Sequence, residues 1–434
     1  MKENRTASTP FQRIEVIDAL RGFALLGVIL MHMLDYFGYT FTSLSHNLSP
    51  SVLDIFIDRF SDMTIRGKFI SIFSFLFGLS FYIQMERASK KGVDFRGRFL
   101  WRMLLLFAIG LIGISFTYLD ILTIYALFGV ILVFLFPLRN WILMLIVFLI
   151  FTGVPNLFII GFDQIKTERS ILDTGMTISG KSAAPSEVSK SNAGDYGTKS
   201  QIFFETAKEN LTVRTIDKIT FQFLHTDTGF LVLALFITGF IAGKLHFFEQ
   251  VHIRKKRNVV LFGAFMLVSL AAVLIARIIG PEAPVNLLKL RAEKGDVPLI
   301  ALLVSSLNNI GTIAMSGALV TGFISLYQVA GIRKYLSLLT PYGRMGLTNY
   351  EMQNILGAIF FSAWGFGSFF GGKGPALLFA LGLTIYTLQV VISRWWMKQF
   401  VYGPLEWLWR SGTYLKWQLF KRNLNPDKME IVRE

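Results

Sequence analysis

The sequence predicts an all-α polytopic membrane protein with about ten transmembrane helices. Three observations carry this prediction. Hydrophobic residues make up 53% of the 434 residues and charged residues only 16%, whereas soluble proteins carry about 25% charged residues. Apolar runs of about 20 residues, the length that spans a bilayer as a helix, recur along the chain. Basic residues gather in alternate loops, as they do around membrane-spanning segments.

Ten apolar runs have spanning length, and hydrophobic periodicity favours a helix for each. The run from 298 to 328 is long and contains serine, asparagine and glycine, so we expect it to tilt or break. The third and fourth runs are almost contiguous and predict a tight helical hairpin. The ten predicted spans cover residues 15–36, 67–86, 100–118, 120–137, 140–160, 228–248, 258–279, 298–328, 345–365 and 375–400.

The distribution of lysine and arginine predicts that both termini are cytoplasmic. Basic clusters follow the second, sixth and eighth spans and fill the C-terminal tail, and such clusters mark the cytoplasmic side. Arg59, Arg66 and Lys68 fall on the opposite side and contradict this pattern. They lie in or just after Ser51–Phe60, a short amphipathic stretch that is expected to lie in the membrane interface.

A polar insert divides the chain into two halves of five spans. Residues 161–225 are polar, with a Ser/Gly/Ala/Lys-rich centre at 177–200 that predicts a flexible loop. Residues 201–223 are expected to return to the membrane as a mixed helix. The predicted units are a first bundle (1–160), an extracytoplasmic insert (161–225), a second bundle (226–400) and a cytoplasmic amphipathic tail (401–434).

Charge and composition exclude several classes of function. The net charge of +15 is spread over alternate loops, so we expect membrane lipids rather than nucleic acid as partners. The chain has no cysteine, which removes disulfides, thiolate metal sites and a cysteine nucleophile. It also lacks a Walker loop, a dinucleotide fingerprint and a His/Glu zinc pattern, so no metal site is predicted.

The first span carries four ionisable residues, Asp18, Arg21, His32 and Asp35. Their spacing places all four on one face of a helix. Ionisable groups are costly in hydrocarbon and usually serve a function there. The alternative is that Asp18 and Arg21 form an interfacial ion pair, while His32 and Asp35 lie in the opposite headgroup layer.

Other candidate residues open later spans. Lys68 precedes Ser71, Ser74 and Gly78, whose spacing favours close helix packing over chemistry. Asp120 begins the fourth span, where it serves either as an N-cap or as a partner of His32 and Asp35 on the same side. Arg344, Asn349 and Gln353 belong to a polar stretch that either binds a ligand or joins helices. Glu406 and Arg410 are expected to pair in a helix that anchors the tail.

Five ordered motifs resemble the YeiB family (domain of unknown function 418), whose members are multi-pass bacterial membrane proteins. The resemblance therefore implies the bacterial cytoplasmic membrane. The first helix also resembles that of transmembrane acyltransferases, which carry an Asp-x-x-Arg-Gly start and a functional histidine at the end of the span, as His32 is here. A second family histidine is missing, since residues 110–113 contain none. The five motifs are Ile17–Ala24, Gly67–Gly78, Leu119–Ala126, Gly343–Tyr350 and Gly403–Arg410.

Three functions remain open from the sequence. The first is transfer of an acyl group from a cytoplasmic donor such as acyl-CoA to an extracytoplasmic acceptor, with His32 as general base and Asp35 orienting its ring. In that hypothesis the residues that bind the substrate or the donor are Asp18, Arg21, Lys68, Asp120, Arg344, Asn349 and Gln353. The second is a transporter with a polar path between the halves, and the third is a non-catalytic envelope protein. Small-residue helix faces also make a homodimer an expectation.

Overall fold

The computed structural model describes residues 15–37, 50–117, 120–160, 199–215, 228–249, 254–280, 297–362, 364–370 and 373–422. Within these ranges the regular secondary structure is helical. The first half contains α1 (Glu15–Met31, continued to Phe37 as a π-helix), α2 (Val52–Thr64), α3 (Lys68–Lys90), α4 (Arg96–Phe116), α5 (Leu122–Leu135), α6 (Asn140–Phe151) and α7 (Val154–Ile160).

The remaining helices begin within the predicted insert. Residues 161–198, including most of the predicted flexible centre, lie outside the described residues. The helices are α8 (Lys199–Glu209, continued to Arg214), α9 (Thr228–Lys244), α10 (Lys255–Ile279), α11 (Leu299–Tyr327), α12 (Ala330–Leu336), α13 (Thr340–Arg344), α14 (Gly346–Phe361), α15 (Gly367–Phe370), α16 (Pro375–Gln399) and α17 (Pro404–Tyr414).

Each predicted span coincides with a helix or a helix pair, and the chain is a helical membrane protein. Within the described ranges, six helical segments are long and apolar enough to cross a membrane, and the bent pair α6–α7 is a seventh candidate. The pair bends by 59° at Gly153, whose φ of 86° suits a residue without a side chain. The short α5 and α9 and the polar α14 complete the ten predicted positions. The count of ten and the orientation stay predictions.

The expected break in the eighth span is absent, since α11 runs through 29 residues without interruption. Two of its hydroxyl groups bond within the helix: Ser316 donates to the Thr312 carbonyl at 2.8 Å and Thr321 to the Gly317 carbonyl at 2.7 Å. Ser316 also lies 3.0 Å from the Lys68 carbonyl, and the Ser306 hydroxyl donates to the Thr152 carbonyl at 3.3 Å. The Ser269 hydroxyl of α10 donates to the Gly311 carbonyl at 2.9 Å. These hydroxyl groups therefore find partners while the helix stays continuous. At about 1.5 Å per residue, α11 exceeds the ~30 Å hydrocarbon layer.

Helices of the two predicted halves pack directly against one another. α1 is the most buried of the six candidate spans and contacts α3 of the first half as well as α13 and α16 of the second. One apolar core contains side chains from both halves. The boundaries of the predicted units stay a prediction, but the interior they enclose is shared.

Close packing of α3 on α9 depends on glycine. Gly78 lies against the backbone carbonyl of Phe236, and Gly239 lies against that of Phe75. A methyl group at either position would collide with a backbone atom. The packing interpretation of Gly78 is therefore confirmed, and it agrees with the use of small residues where membrane helices approach closely.

We predict that Gly78→Ala destabilises the protein by about 1–3 kcal/mol, since the added methyl group must push two backbones apart. Gly263→Ala is the matched control, because nothing lies within 4 Å of a methyl group placed there. Thermal unfolding of both variants in the same detergent checks the prediction. Equal unfolding temperatures for the two variants would contradict the glycine contact.

Candidate functional site

A cleft of about 340 Å³ opens at the end of the bundle where α1 begins. We call it the basic cleft, because five arginine side chains and only two acidic side chains line it. Residues of α1, α3, α4, α13 and α17 meet there, so both halves of the chain contribute. The charged lining residues are Arg21, Arg87, Arg102, Arg344, Arg410, Asp18 and Glu406.

Arg21 is held in the cleft by two neighbours. Its Nη1 donates to Asp18 Oδ1 at 2.9 Å, and its Nη2 donates to the Ser80 hydroxyl of α3. The i,i+3 spacing predicted this pair. Asp18 is 2% exposed, so a buried carboxylate fixes a guanidinium that reaches the cleft. Asp18 therefore serves Arg21 rather than facing a ligand directly.

The tail helix α17 closes one side of the basic cleft. The guanidinium of Arg102 lies 3.6 Å from the centre of the Trp409 ring, a cation–π contact. The Trp409 indole also donates to the Arg102 carbonyl at 2.9 Å. The predicted tail helix thus has a second task besides anchoring, because it packs its tryptophan onto a cleft arginine.

Glu406 caps α14, so the expected pairing with Arg410 was wrong. Its carboxylate accepts hydrogen bonds from the backbone of Leu347 at 2.7 Å and of Thr348 at 3.0 Å, and from the Thr348 hydroxyl at 2.5 Å. The free N–H groups and dipole of a helix N-terminus compete well for a carboxylate. Burial raises the pKa of Glu406, and these three donors oppose that rise.

A second cavity of about 280 Å³ adjoins the basic cleft. The two share seven lining residues, among them Arg21, Arg102 and Arg344. The second cavity leads into the bundle between aromatic side chains of α3, α4, α5 and α14, and we call it the aromatic cavity. Its lining beyond the shared residues includes Phe73, Phe77, Phe81, Phe99, Leu122, Tyr125 and Tyr350.

Tyr350 joins the aromatic cavity to His32. The two ring centres are 6.0 Å apart in an edge-to-face arrangement. The Tyr350 hydroxyl accepts a hydrogen bond from the Ile121 backbone at 2.9 Å, which places it beside Asp120. Both His32 and Asp120 are buried. Asp120 Oδ2 accepts from the first-turn backbone of α5, from Leu122 at 3.0 Å and Thr123 at 3.3 Å, and it does so from the position before the N-cap Ile121.

Glu351 is a buried carboxylate that sequence reasoning missed. It is 5% exposed and packs on Gly113 of α4, where a methyl group would lie 2.8 Å from its Oε2. It follows Tyr350 directly in α14. The sequence contained the signal, because an acidic residue inside a predicted span indicates function in the same way as His32. The asparagine and glutamine residues of the same stretch obscured it.

Asp35 binds Arg66, not the histidine that it was expected to orient. Its Oδ1 accepts from Arg66 Nε at 2.6 Å, and the same guanidinium bonds Asp58 at 2.7 Å and Asp62 at 2.5 Å. Three carboxylates thus surround one arginine. This neutralisation also explains why a basic residue lies on the side that the charge pattern assigns to the outside.

The structure does not bring Lys68 to the other predicted donor-binding cations. It begins α3, whereas the cleft residues Ser80 and Arg87 lie three to five turns further along the same helix. The Lys68 ammonium donates to the Asp62 carbonyl at 2.5 Å. Of the three predicted cations, Arg21 and Arg344 share the basic cleft and Lys68 belongs with the Arg66 cluster.

Asn349 and Gln353 join helices, and neither lines the two cavities described above. The Asn349 amide donates to the Ser393 hydroxyl at 3.0 Å. The Gln353 amide donates to the Tyr342 hydroxyl at 2.9 Å and lies 3.3 Å from Gln389 Oε1. Both amides are buried. These contacts between α13, α14 and α16 match the expected alternative of polar side chains that hold membrane helices together.

One group of side chains in the described ranges has the spacing of metal ligands. Ligand atoms of Glu86, His246 and Glu249 lie within 4.8 Å of one another. The Lys90 ammonium lies 2.9 Å from Glu86 Oε1, and His246 Nδ1 lies 3.1 Å from Glu249 Oε1. The group lines neither cavity, so it has no part in the candidate site.

Comparisons with known proteins confirm both resemblances. Residues 13–172 match the catalytic family model of heparan-alpha-glucosaminide N-acetyltransferase, and residues 242–416 match the family described as protein of unknown function (DUF418). An uncharacterized 39.9 kDa protein in the amylase 3' region of Bacillus acidopullulyticus is 29% identical to this chain, and the alignment covers 93% of this chain and 94% of that protein. The uncharacterized protein YxaH of Bacillus subtilis is 27% identical over 94% of this chain and 96% of its own. No solved structure matches.

We predict that Arg66→Gln lowers the free energy of unfolding by about 2 kcal/mol, because it removes charge-assisted hydrogen bonds and leaves three carboxylates close together. Arg59→Gln is the matched control. Arg59 lies seven residues earlier in the chain, on the exposed helix α2, so its removal should change stability little. Chemical unfolding in detergent measures both variants. An equal loss of stability in the two variants would contradict a stabilising role of the Arg66 ion pairs.

Proposed function

We propose, from the resemblance to these two families, that this membrane protein transfers an acyl group from an anionic, phosphorylated donor to a hydroxyl acceptor. The observation that carries the proposal is the pair of adjoining cavities. The basic cleft suits phosphate groups, the aromatic cavity suits a narrow linear arm, and Tyr350, which lines this cavity, packs edge-on against His32.

The charge of the basic cleft favours a donor with more than one phosphate. Five guanidinium groups and two carboxylates line the cleft. Both carboxylates have protein partners, because Asp18 pairs with Arg21 and Glu406 accepts from the N-terminus of α14. Guanidinium groups bind phosphate oxygens through paired hydrogen bonds. An acyl thioester of coenzyme A has this combination of phosphates and a linear arm, and it is the donor that we propose.

In the proposed reaction His32 acts as general base on the acceptor. Its neutral ring takes the proton of the acceptor hydroxyl while the hydroxyl oxygen attacks the thioester carbonyl carbon. The new ester C–O bond forms, the C–S bond breaks, and the sulfur leaves as a thiolate. The proton held by His32 then passes to the thiolate, which restores the neutral ring and balances the reaction.

Asp120 and Glu351 are the positioning residues of this proposal. Both carboxylates are buried beside Tyr350, and a buried carboxylate stabilises a histidine that becomes positively charged during turnover. This role replaces the one first assigned to Asp35, which is occupied by Arg66. With both termini cytoplasmic, the donor would enter from the cytoplasm and the acceptor would approach His32 from the outer side of the cytoplasmic membrane.

We predict that His32→Ala abolishes the acylated product, while the variant still inserts into the membrane and has the same stability to unfolding as the wild-type protein. The measurement is mass spectrometry of envelope glycans and lipids from a deletion strain complemented with each variant. His246→Ala is the matched control, since that histidine lies outside both cavities. A His32→Ala strain with the full wild-type product would end the mechanism, and solute accumulation without a covalent product would favour the transporter.

We predict that Arg344→Ala raises the KM for the acyl donor about tenfold or more and changes kcat less, because the cleft binds a part of the donor remote from the reacting carbon. Arg333→Ala is the control; this exposed arginine pairs with Glu15 at 3.4 Å. Steady-state transfer from radiolabelled acetyl coenzyme A to an envelope extract gives both constants. An unchanged KM would remove Arg344 from the donor site.

A further inference from the structure

We propose that Arg102, which sequence reasoning did not single out, binds the phosphate from which the linear arm of the donor departs, at the junction of the two cavities. The inference rests on the proposed function and assigns the direction in which the donor lies. Three observations carry it: the place of Arg102 between the cavities, the lack of an acceptor for its Nε among the described residues, and the ring that fixes its guanidinium.

The arginines of the basic cleft fall into two groups. Arg21, Arg102 and Arg344 line both cavities, so they lie at the junction. Arg87 and Arg410 line the basic cleft but not the aromatic cavity. A ligand whose arm lies in the aromatic cavity must place the phosphate that carries this arm at the junction. Any phosphate further from the arm then lies towards the second group.

Two of the three junction arginines are engaged by protein acceptors. Arg21 donates to Asp18 at 2.9 Å and to the Ser80 hydroxyl. Arg344 donates to the Val401 carbonyl at 3.4 Å. Each of these guanidinium groups therefore directs part of its hydrogen-bonding capacity towards the protein, which leaves fewer donors for a ligand.

Arg102 differs from both of them. Its Nε is buried and has no hydrogen-bond partner among the described residues. The two carboxylates of the cleft are committed elsewhere, since Asp18 bonds Arg21 and Glu406 accepts from the N-terminus of α14. The positive charges of Arg21 and Arg410 act on Arg102 instead. A charged donor in this setting is costly, and an anion at the junction removes that cost.

Trp409 fixes the guanidinium of Arg102. Its ring centre lies 3.6 Å from the guanidinium carbon, and its indole N–H donates to the Arg102 carbonyl at 2.9 Å. One tryptophan thus holds both the backbone and the head group of the same arginine. A guanidinium over an aromatic face keeps the donors at its edge available for paired hydrogen bonds to phosphate oxygens. Trp409 is therefore a positioning residue for Arg102.

Two ligands separate the junction from the outer part of the cleft. Phosphopantetheine carries the arm and the single phosphate next to it, whereas coenzyme A adds a second phosphate, a nucleoside and a ribose phosphate beyond that point. Isothermal titration calorimetry on the full chain in nanodiscs gives the affinity for each. We expect Arg102→Gln to weaken the binding of both ligands about tenfold or more, because a charge-assisted pair of hydrogen bonds is lost.

Two other arginines supply the comparison. Arg87→Gln should weaken the binding of coenzyme A and change that of phosphopantetheine little, since Arg87 lines the outer cleft alone. Arg98→Gln is the matched control. Arg98 lies four residues before Arg102 on α4, is exposed, and has a similar contact with the Tyr414 ring at 5.3 Å. It lines neither cavity, so both affinities should equal those of the wild-type protein.

Further variants distinguish a binding role of Arg102 from a structural one. Arg102→Gln should unfold at a temperature no lower than the wild-type protein without ligand, since it removes a charge that lacks an acceptor. Arg21→Gln should unfold at a lower temperature, because Asp18 loses its partner. Trp409→Leu should weaken phosphopantetheine binding severalfold, and Trp409→Phe should restore most of it, because the phenyl ring keeps an aromatic face.

Four results would overturn the inference. The first is equal phosphopantetheine affinity in Arg102→Gln and Arg98→Gln, and the second is an Arg87→Gln loss for phosphopantetheine as large as that of Arg102→Gln. The third is wild-type protein that binds coenzyme A but not phosphopantetheine. In these three cases the donor site and the proposed function stand. The fourth, failure of wild-type protein to bind coenzyme A, removes the proposed function as well.

Arg102→Lys keeps the inference testable should Arg102→Gln not fold. The lysine retains the positive charge but lacks the planar pair of donors. It should therefore still weaken phosphopantetheine binding relative to Arg98→Gln. Unchanged affinity in Arg102→Lys would show that no paired contact with the phosphate exists at this position.

Discussion

The cost of placing a charged group in hydrocarbon determines where the polar residues of this protein lie. α1 is the most buried of the candidate spans, and it carries ionisable residues at both ends. Each must find a partner, because an isolated charge in the membrane interior costs several kcal/mol. Asp18 takes Arg21 at one end, and Asp35 takes Arg66 at the other. Arg21 belongs to α1 itself and also donates to Ser80 of α3, while Arg66 comes from the turn between α2 and α3, so both contacts fix this part of the chain against α1.

The same constraint separates architecture from chemistry among the candidate residues. Asp18, Asp35, Asn349 and Gln353 are occupied by protein groups at hydrogen-bond distance. Arg344 donates to the Val401 carbonyl at 3.4 Å and also lines the basic cleft together with four other arginines. Five like charges around one cleft repel one another. Asp18 and Glu406 line the same cleft and offset part of this repulsion, which leaves an excess of positive charge that suits an anion.

Sequence reasoning succeeded where the signal is local and failed where it is not. The ten helical positions and the Asp18–Arg21 pair follow from spacing along one segment. The pairing of Asp35 with Arg66 and the capping of α14 by Glu406 join residues 31 and 59 positions apart along the chain, and no periodicity encodes such contacts. Glu351 was visible as a charge in a span, but its role depends on Gly113 of another helix. The cavities are the least predictable feature, since they are spaces lined by residues of seven helices.

The two family matches divide the chain in a way that the site does not. The acyltransferase-like match ends at residue 172 and contains Arg21, His32 and Asp120, whereas the DUF418 match begins at residue 242 and contains Arg344, Tyr350 and Glu406. Neither half alone encloses the aromatic cavity, because Tyr350 of the second half forms its end against α5 of the first. Glycine contacts such as that of Gly78 with Phe236 allow helices of the two halves to pack closely. The two relatives align with this chain over 93% and 94% of its length, so the alignments extend over both halves that line the cavity.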